Sequence, residues 1–90
     1  MDFVVEKNRI YLPDEKGQAS AYVLLEGDGD VWDLTSTYVS DEQRGKGLAG
    51  KLVEAAVKEA RIQGKKIKPT CSYAVKAFET KDEYSDVLFK

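Results

Sequence analysis

The chain has 90 residues, of which 42% are hydrophobic and 33% are charged, and its net charge is −2. This composition argues against a disordered chain, and the length leaves room for one domain, residues 1–90, with a thin core. The sequence shows no membrane span and no signal-peptide pattern at its start. It contains one cysteine, Cys71, and no histidine. We therefore expect a cytoplasmic protein without a disulfide or a metal site.

Charge is unevenly divided between the two halves of the chain. Residues 1–43 carry a net charge of −7, whereas residues 44–90 carry +5. A basic half suits a phosphate-bearing ligand, and an acidic half suits a cationic substrate. Two ordinary solvated faces would produce the same division, so charge by itself does not assign a function.

The first forty residues predict three or four strands joined by turns. Short apolar runs at 3–5 and 9–12 favour a hairpin, and the Pro-Asp-Glu-Lys-Gly segment at 13–17 favours a turn. A longer strand follows at 19–26, with Ala21, Val23 and Leu25 on one face. The Gly-Asp-Gly-Asp segment at 27–30 is the strongest turn signal in the chain.

The next predicted strand, residues 31–39, is unusually polar near its middle. Strict alternation places one set of side chains on one face and the remainder on the other. The first set is Trp32, Leu34, Ser36 and Tyr38, and the second is Val31, Asp33, Thr35, Thr37 and Val39. Either this strand lies at an edge of the sheet, or its polar groups line a site.

From residue 48 the hydrophobic period changes to that of a helix. The apolar stripe consists of Leu48, Leu52, Val53, Ala56, Val57 and Ala60. Gly64 is expected to end this helix. A short strand at 66–71 contains Pro69, which favours an edge or a bulge.

Ser72 is expected to cap a second helix from about Tyr73 to Thr80, with Val75 and Phe78 facing inward. Residues 81–90 predict a polar turn followed by an extended piece at 86–89. The whole order predicts an α+β fold, a mostly antiparallel sheet with one long and one short helix.

A glycine-rich segment precedes the long helix. Three glycines lie at positions 45, 47 and 50, where each costs about 1 kcal/mol relative to alanine in a helix. Bare backbone lets an anion approach the free amides and the positive dipole of a helix N-terminus, and Arg44, Lys46 and Lys51 add charge. The spacing matches neither the Walker loop nor the dinucleotide fingerprint. The alternative to a phosphate site is a loop whose glycines only make the start of the helix flexible.

The Arg-Gly-Lys-Gly-Leu-Ala run at 44–49 resembles the Arg/Gln-x-x-Gly-x-Gly/Ala motif of the GNAT N-acetyltransferase superfamily. The resemblance implies a minimal GNAT-like fold that binds acetyl-CoA or coenzyme A. It further implies that the strand end contacts the pantetheine arm and that the loop holds the phosphates. The implied cofactor-binding residues are Tyr38, Val39, Arg44, Gly45, Lys46, Gly47, Leu48, Ala49 and Gly50.

A second motif, Pro-x-Cys-Ser-Tyr at 69–73, is similar to that of a small stand-alone branch of the superfamily. That branch lacks the helices that usually follow the first strand, as this chain does. It places a histidine before the threonine of its Thr-Tyr-Val strand motif, where this chain has Ser36. Because a serine hydroxyl is a poor base, either the family histidine is not essential or this member is weakened.

The resemblance brings two candidate catalytic residues. Cys71 is either a nucleophile that carries the acetyl group or a structural residue, and the absence of a histidine favours the latter. Tyr73 is a candidate for protonating the departing thiolate. Direct attack by an amine would also need a base, for which Glu6, Glu26 and Asp33 are candidates.

We expect transfer of acetyl from acetyl-CoA to a primary amine, in a small molecule or a peptide. A catalytically silent acyl-CoA-binding or partner-interaction module is the alternative. Nucleic-acid binding by the basic segment at 65–68 is disfavoured by the sequence pI of about 5.1. We expect no membrane partner. So small a domain lacks its own recognition lobe, so either a partner or a homodimer would complete the pocket.

Overall fold

Five strands and two α-helices make up the fold of the computed structural model, which describes residues 3–27 and 29–89. The strands are β1 (Val4–Glu6), β2 (Arg9–Pro13), β3 (Ala19–Glu26), β4 (Val31–Val39) and β5 (Lys66–Pro69). The helices are α1 (Leu48–Gln63) and α2 (Ser72–Thr80). Two short 3₁₀ segments, Asp41–Gln43 and Asp82–Val87, precede α1 and follow α2.

The sheet has the strand order β1-β2-β3-β4-β5, so neighbours in the chain are neighbours in space. The first three pairs are antiparallel, and β5 pairs with β4 in parallel after the crossover through α1. The prediction of an α+β fold with a mostly antiparallel sheet is therefore confirmed. Among the described residues no helix is long and apolar enough to cross a bilayer.

The core lies between α1 and one face of the sheet. Every residue of the predicted α1 stripe is buried, which confirms the period of 3.6. The buried strand residues that meet α1 alternate along each strand, and they include Ile10, Val23, Leu25 and Leu34. Gly64 ends α1 in the left-handed region at φ +70°, as expected of a C-terminal glycine.

A β-bulge at Thr35 divides β4. Leu24 of β3 pairs with Ser36 and the next residue, Leu25, pairs with Leu34, so Thr35 has no partner on β3. The alternation is thereby reversed, because Thr37 then lies opposite the buried Val23. The prediction that Ser36 and Tyr38 share a face with Trp32 and Leu34 is wrong.

The helix α2 begins one residue earlier than predicted, and its N-cap is Cys71 rather than Ser72. Its buried residues are Ala74 and Phe78, whereas Val75 is 36% exposed. The predicted inward pair, Val75 and Phe78, and the observed buried pair, Ala74 and Phe78, both fit the spacing of one helix face. The way in which the helix packs against the sheet decides which pair is buried. The expected inward position of Val75 is therefore wrong.

The segment after α2 is a 3₁₀ helix rather than a polar turn leading to a strand. Tyr84 and Val87 are buried, and within the described part of this segment Leu88 alone forms a β-bridge, with Ile67. Arg61 of α1 holds this segment through two bonds to Asp86, of 2.8 Å from Nε and 2.9 Å from Nη2. The hydrogen bond from Arg61 lowers the pKa of the Asp86 carboxyl.

Candidate active site

Two glycines with positive φ shape the loop that enters α1. Gly45 has φ +85° and Gly47, the N-cap of α1, has φ +73°. A Cβ added at either position would meet nothing within 4 Å. The chain therefore needs glycine here for its backbone conformation, and the space above both residues is open to a ligand.

The N-terminus of α1 offers amides that the helix itself does not use. The first turn closes with a bond of 3.2 Å from the Lys51 amide to the Gly47 carbonyl oxygen. The amides of Leu48, Ala49 and Gly50 precede that bond, so they have no intrahelical acceptor. The Leu48 side chain is only 1% exposed, so this residue presents its backbone alone.

Cations and a small cleft surround these amides. Arg44 donates from Nε to the Val39 carbonyl oxygen at 3.3 Å and lies 3.2 Å from the Asp41 carboxylate, while Lys46 donates to Gln43. The cleft has a volume of about 210 Å³. It is lined by Val39, Gln43, Arg44, Gly45, Gly47, Leu48, Ala49, Gly50 and Tyr73. Open glycine backbone, free amides and positive charge together fit a pyrophosphate group.

The parallel pair β4–β5 separates after Leu34. The register joins Val31–Leu34 to Lys66–Pro69, and the amides of Thr70 and Cys71 then both donate to the Leu34 carbonyl oxygen at 3.1 Å. Within the described residues, the edge of β4 at 35–39 has no strand partner on that side. This edge runs from Cys71 toward the cleft at Val39. The edge alternative is therefore confirmed for the second half of this strand, and the alternative that its polar groups line a site stays a prediction.

The half-buried Cys71 joins that edge to α2. Its Sγ accepts a hydrogen bond from the Ala74 amide at 3.3 Å and lies 3.3 Å from Thr37 Oγ1. The sequence did not single out Thr37 as a neighbour, because the contact spans 34 residues and depends on the bulge in β4. The thiol is therefore the cap of α2 and faces the open part of β4.

Two tyrosines lie on different sides of this edge. Tyr73 is 44% exposed, and a Cβ added at Gly50 would lie 3.4 Å from its hydroxyl. Its hydroxyl therefore contacts the first turn of α1. The Tyr38 ring is also 44% exposed, but it packs on Tyr22 across the sheet, with ring centroids 5.2 Å apart.

The three candidate bases lie on the sheet face that α1 does not cover. Glu6 forms an ion pair with Arg9, in which Arg9 Nη2 lies 2.7 Å from Glu6 Oε1. Glu26 and Asp33 are directly opposed in the register of β3 and β4, and Asp33 accepts a hydrogen bond from the Thr70 hydroxyl. Ser36 lies opposite Leu24 on the same face. Glu26 and Asp33 thus lie near the point where β5 ends, whereas Glu6 lies on β1 at the opposite edge of the sheet.

A family model described as GCN5-related N-acetyl-transferase matches residues 9–87. The chain belongs to this family. An NMR structure of a GCN5-like protein from Staphylococcus aureus is 32% identical to it, with a TM-score of 0.79, and the match covers 98% of this chain and 87% of that one. The acetyltransferase identity predicted from the loop and the acetyl-CoA cofactor are confirmed.

Two more distant structures share the fold of this acetyltransferase. A GNAT-family N-acetyltransferase of Escherichia coli, crystallised with CoA, is 22% identical with a TM-score of 0.59, over 68% of this chain and 38% of that one. A protein of Agrobacterium tumefaciens is 21% identical with a TM-score of 0.62, over 80% of this chain and 55% of that one. A search of curated protein sequences returned no significant match.

Proposed function

We propose that this GCN5-related N-acetyltransferase moves the acetyl group of acetyl-CoA directly to a primary amine. The observation that carries the proposal is the continuity of the open glycine loop at 44–50 with the unpaired edge of β4. A loop that offers free amides to a pyrophosphate and a free strand edge that offers main-chain groups to a pantetheine arm together suit a long, flexible thioester cofactor. The substrate is an amine of a small molecule or of a peptide.

The pyrophosphate is assigned to the loop. The amides of Leu48, Ala49 and Gly50 lack intrahelical acceptors, and the added Cβ positions at Gly45 and Gly47 are open. An anion there is stabilised by the helix dipole and by charge-assisted hydrogen bonds. The Arg44 guanidinium, which is exposed in its bond to Val39, is able to turn toward the phosphates.

The pantetheine arm is assigned to the β4 edge. Its two amide groups can exchange hydrogen bonds with the main-chain N–H and C=O groups of this edge, much as an added strand does. Tyr38 and Val39 would contact it through their backbone, since the Tyr38 ring is held on the other face by Tyr22. The arm then ends beside Thr37 and Cys71, where β5 has turned away.

Acetyl-CoA supplies an activated thioester, and the chain supplies orientation and proton transfer. An amine becomes nucleophilic when it loses a proton, and Asp33 or Glu26 accepts that proton, directly or through water. Glu6 is less suitable because Arg9 already neutralises it. Tyr73 is the sequence candidate for returning a proton to the leaving thiolate, but its hydroxyl lies against the first turn of α1, at the pyrophosphate end of the cofactor, so water is the better proton donor. These carboxylates also suit a positively charged amine substrate.

A titration with coenzyme A, followed by an amine assay, tests the proposal. Amide chemical shifts should change in a cluster at 38–51, because both assigned contacts lie there. Release of free thiol from acetyl-CoA should then depend on an added amine, such as spermidine or a lysine peptide. Scattered or absent shifts at millimolar coenzyme A contradict the cofactor site. Clustered shifts without thiol release, across a broad amine panel, make the chain a binding module instead.

Replacing Cys71 separates its two interpretations, and we expect the structural one to hold. Cys71→Ser should keep most of the turnover, because serine is a good N-cap and can still accept from the Ala74 amide. Cys71→Ala should lose the cap and about 1 kcal/mol of unfolding free energy, and it should also retain turnover. Steady-state thiol release and urea unfolding measure the two effects.

The acetyl-carrier interpretation makes the opposite prediction for the serine variant. Without an adjacent base a serine hydroxyl is far less nucleophilic than a thiol, so Cys71→Ser would lose turnover while keeping its affinity for coenzyme A. Incubation with acetyl-CoA alone would also add one acetyl group to Cys71, labile to hydroxylamine. Observation of that adduct together with an inactive serine variant would overturn the structural assignment.

A further inference from the structure

A row of large side chains crosses the sheet on the face that α1 does not cover. The register aligns one residue from each of the first four strands, namely Val4, Tyr11, Tyr22 and Tyr38. We call these four residues the tyrosine row. Both neighbours of Tyr22 in β3 are buried on the α1 side, and side chains alternate along a strand, so the row faces the other way.

The tyrosine row is accessible, yet its rings are held by contacts within the face. Tyr38 is 44% exposed and Val4 is 37% exposed, whereas Tyr11 and Tyr22 are half-buried. The ring centroids of Tyr22 and Tyr38 are 5.2 Å apart. The Arg9 guanidinium lies 4.1 Å from the centroid of the Tyr11 ring. Accessible tyrosine rings of this kind are enriched in the interfaces between proteins.

The bulge at Thr35 completes the row. Strict alternation would place Tyr38 on the face buried under α1, but the bulge sets it opposite Tyr22 on the open face. The same register turns Thr37 toward the buried side, where its Oγ1 lies 3.3 Å from Cys71 Sγ. The end of β4 thus has an inner side, to which the thioester is assigned, and an outer side that carries aromatic surface.

The acceptor amine has an open route to this strand end from the outer side. Both described helices bury their apolar residues in one core against the sheet, so they stand on the inner side. The assigned cofactor path begins there, at the N-terminus of α1. On the outer side, Ser36 and Tyr38 border the unpaired edge of β4. An acceptor that reaches the edge from this side passes directly over the end of the tyrosine row.

The shape of the open face suits a polypeptide better than a small free amine. Small molecules bind in concave pockets that enclose most of their surface. The clefts of about 210 to 560 Å³ in the described part of the chain are lined without Tyr11, Tyr22 or Tyr38. The row spans three strand spacings, or about 14 Å, which roughly five extended residues cover. An extended segment therefore makes contacts along the row that a small amine does not.

Carboxylates on the same face complement a lysine-bearing segment. Glu26 and Asp33 lie beyond Ser36, on the side away from the row. Lys68 lies opposite Asp33 in the register of β4 and β5, so it offsets one of the two charges. Glu26 forms no hydrogen bond or ion pair within residues 3–27 and 29–89. Negative charge thus flanks the strand end on one side and aromatic surface flanks it on the other.

We propose that the acceptor is a lysine side chain of a polypeptide and that the tyrosine row docks the residues that flank this lysine. The inference rests on the proposed function and names its substrate class. The lysine ammonium loses one proton to a carboxylate or to water, and its lone pair forms the N–C bond as the C–S bond breaks. The nitrogen then loses a second proton, and the thiolate gains one from water. The products are Nε-acetyl-lysine and coenzyme A.

A comparison of a peptide library with n-butylamine tests the substrate class. Each peptide has a blocked N-terminus, one central lysine and about five randomised residues on each side, enough to span the row. The small amine presents the same aminobutyl group as lysine. Mass spectrometry should find acetylated peptides enriched in aromatic and aliphatic residues on one side of the lysine. Selected peptides, made singly, should exceed n-butylamine in kcat/KM by about tenfold or more.

Three results of this comparison count against the proposals. Faster acetylation of n-butylamine than of every peptide overturns the inference and leaves the proposed function standing. Acetylated peptides without a preference in their flanks also overturn it, because a docking surface selects its neighbours. Absence of thiol release with both the library and n-butylamine contradicts the proposed function itself.

The Val4→Ser/Tyr11→Ser variant removes the half of the row that is furthest from β4. For a selected peptide, kcat/KM should fall about tenfold, chiefly through KM. The value for n-butylamine and the affinity for coenzyme A should stay at those of the wild-type chain. Equal losses for both substrates, or no loss for the peptide, overturn the docking role. Circular dichroism checks the fold, and Tyr11→Ser alone replaces the double variant if that variant unfolds.

Ile62→Ser is the matched control, because Ile62 is 78% exposed in the last turn of α1 and lies outside the row. It should change neither value of kcat/KM. Sedimentation equilibrium tests a second copy of the chain as the occupant of the row. The wild-type chain should be monomeric at the concentrations of the assay. A dimer that Val4→Ser/Tyr11→Ser dissociates would assign the row to a second copy and overturn the inference.

Discussion

Gly47→Asp is expected to weaken the binding of coenzyme A by at least roughly 100-fold, or about 2.7 kcal/mol, while the fold survives. The new side chain would project into the open space above the loop, where the pyrophosphate is assigned. Its carboxylate would repel the phosphates at the N-terminus of α1. Isothermal titration with coenzyme A measures the loss, and circular dichroism checks the fold. Aspartate tolerates the left-handed conformation of this residue better than most side chains do.

Gly17→Asp is the matched control for that variant. Gly17 has φ +80°, a Cβ there would also meet nothing within 4 Å, and the residue lies in the turn before β3. The two variants therefore share the change in charge and the backbone cost, but only one of them alters the loop. Gly17→Asp should bind coenzyme A normally. Normal affinity in a folded Gly47→Asp variant would place the phosphates elsewhere on the molecule.

Leu48→Ala is expected to lower the free energy of unfolding by about 2–5 kcal/mol, as other buried leucine truncations do. Leu48 belongs to the loop motif, yet its side chain is 1% exposed and lies in the core. Small domains have only about 5–15 kcal/mol in total, so the midpoint of thermal unfolding should fall steeply. Urea unfolding measures the loss. The folded variant should bind coenzyme A with nearly wild-type affinity, since only the backbone of this residue faces the ligand.

Leu52→Ala provides the comparison, because Leu52 is buried one turn further along the same stripe and does not line the loop cleft. Similar losses of stability and unchanged affinities in both variants would establish that Leu48 acts by packing. A large loss of affinity in Leu48→Ala alone would show that its side chain also positions the loop.

Local sequence patterns were sufficient to predict the long helix, the strand at 19–26 and the glycine-rich loop. The α1 stripe is read from a period of 3.6, and the strand at 19–26 from a period of 2, because each element must bury one face. The glycine loop before Leu48 could also be recognised, since glycine in a first helical turn is costly without a ligand or a left-handed conformation to explain it. The element order led to the fold class, and the resemblance of the loop at 44–49 to a known motif led to the family and the cofactor.

Tertiary structure decided what depends on contacts between distant segments. The bulge at Thr35 depends on the pairing register between β3 and β4. Because Thr35 is unpaired, the side chains that follow it in β4 point to the opposite face from the one that strict alternation predicts. The cap of α2 moved to Cys71 because β5 ends early, where two amides share the Leu34 carbonyl oxygen. The sequence of a single segment predicts neither the bulge at Thr35 nor the cap at Cys71.

The surroundings of the site are likewise decided by packing. Lys51 and Lys76 are 25 positions apart in the chain, yet both line one groove between α1 and α2, which no local pattern predicts. Tyr73 reaches Gly50 only because α2 lies against the first turn of α1. The sequence by itself determined which residues enter the long helix through glycines and leave backbone amides free, since that property belongs to one contiguous segment. Only the folded chain determined which side chains surround these amides, because those side chains come from elements that are distant in the sequence and meet only in space.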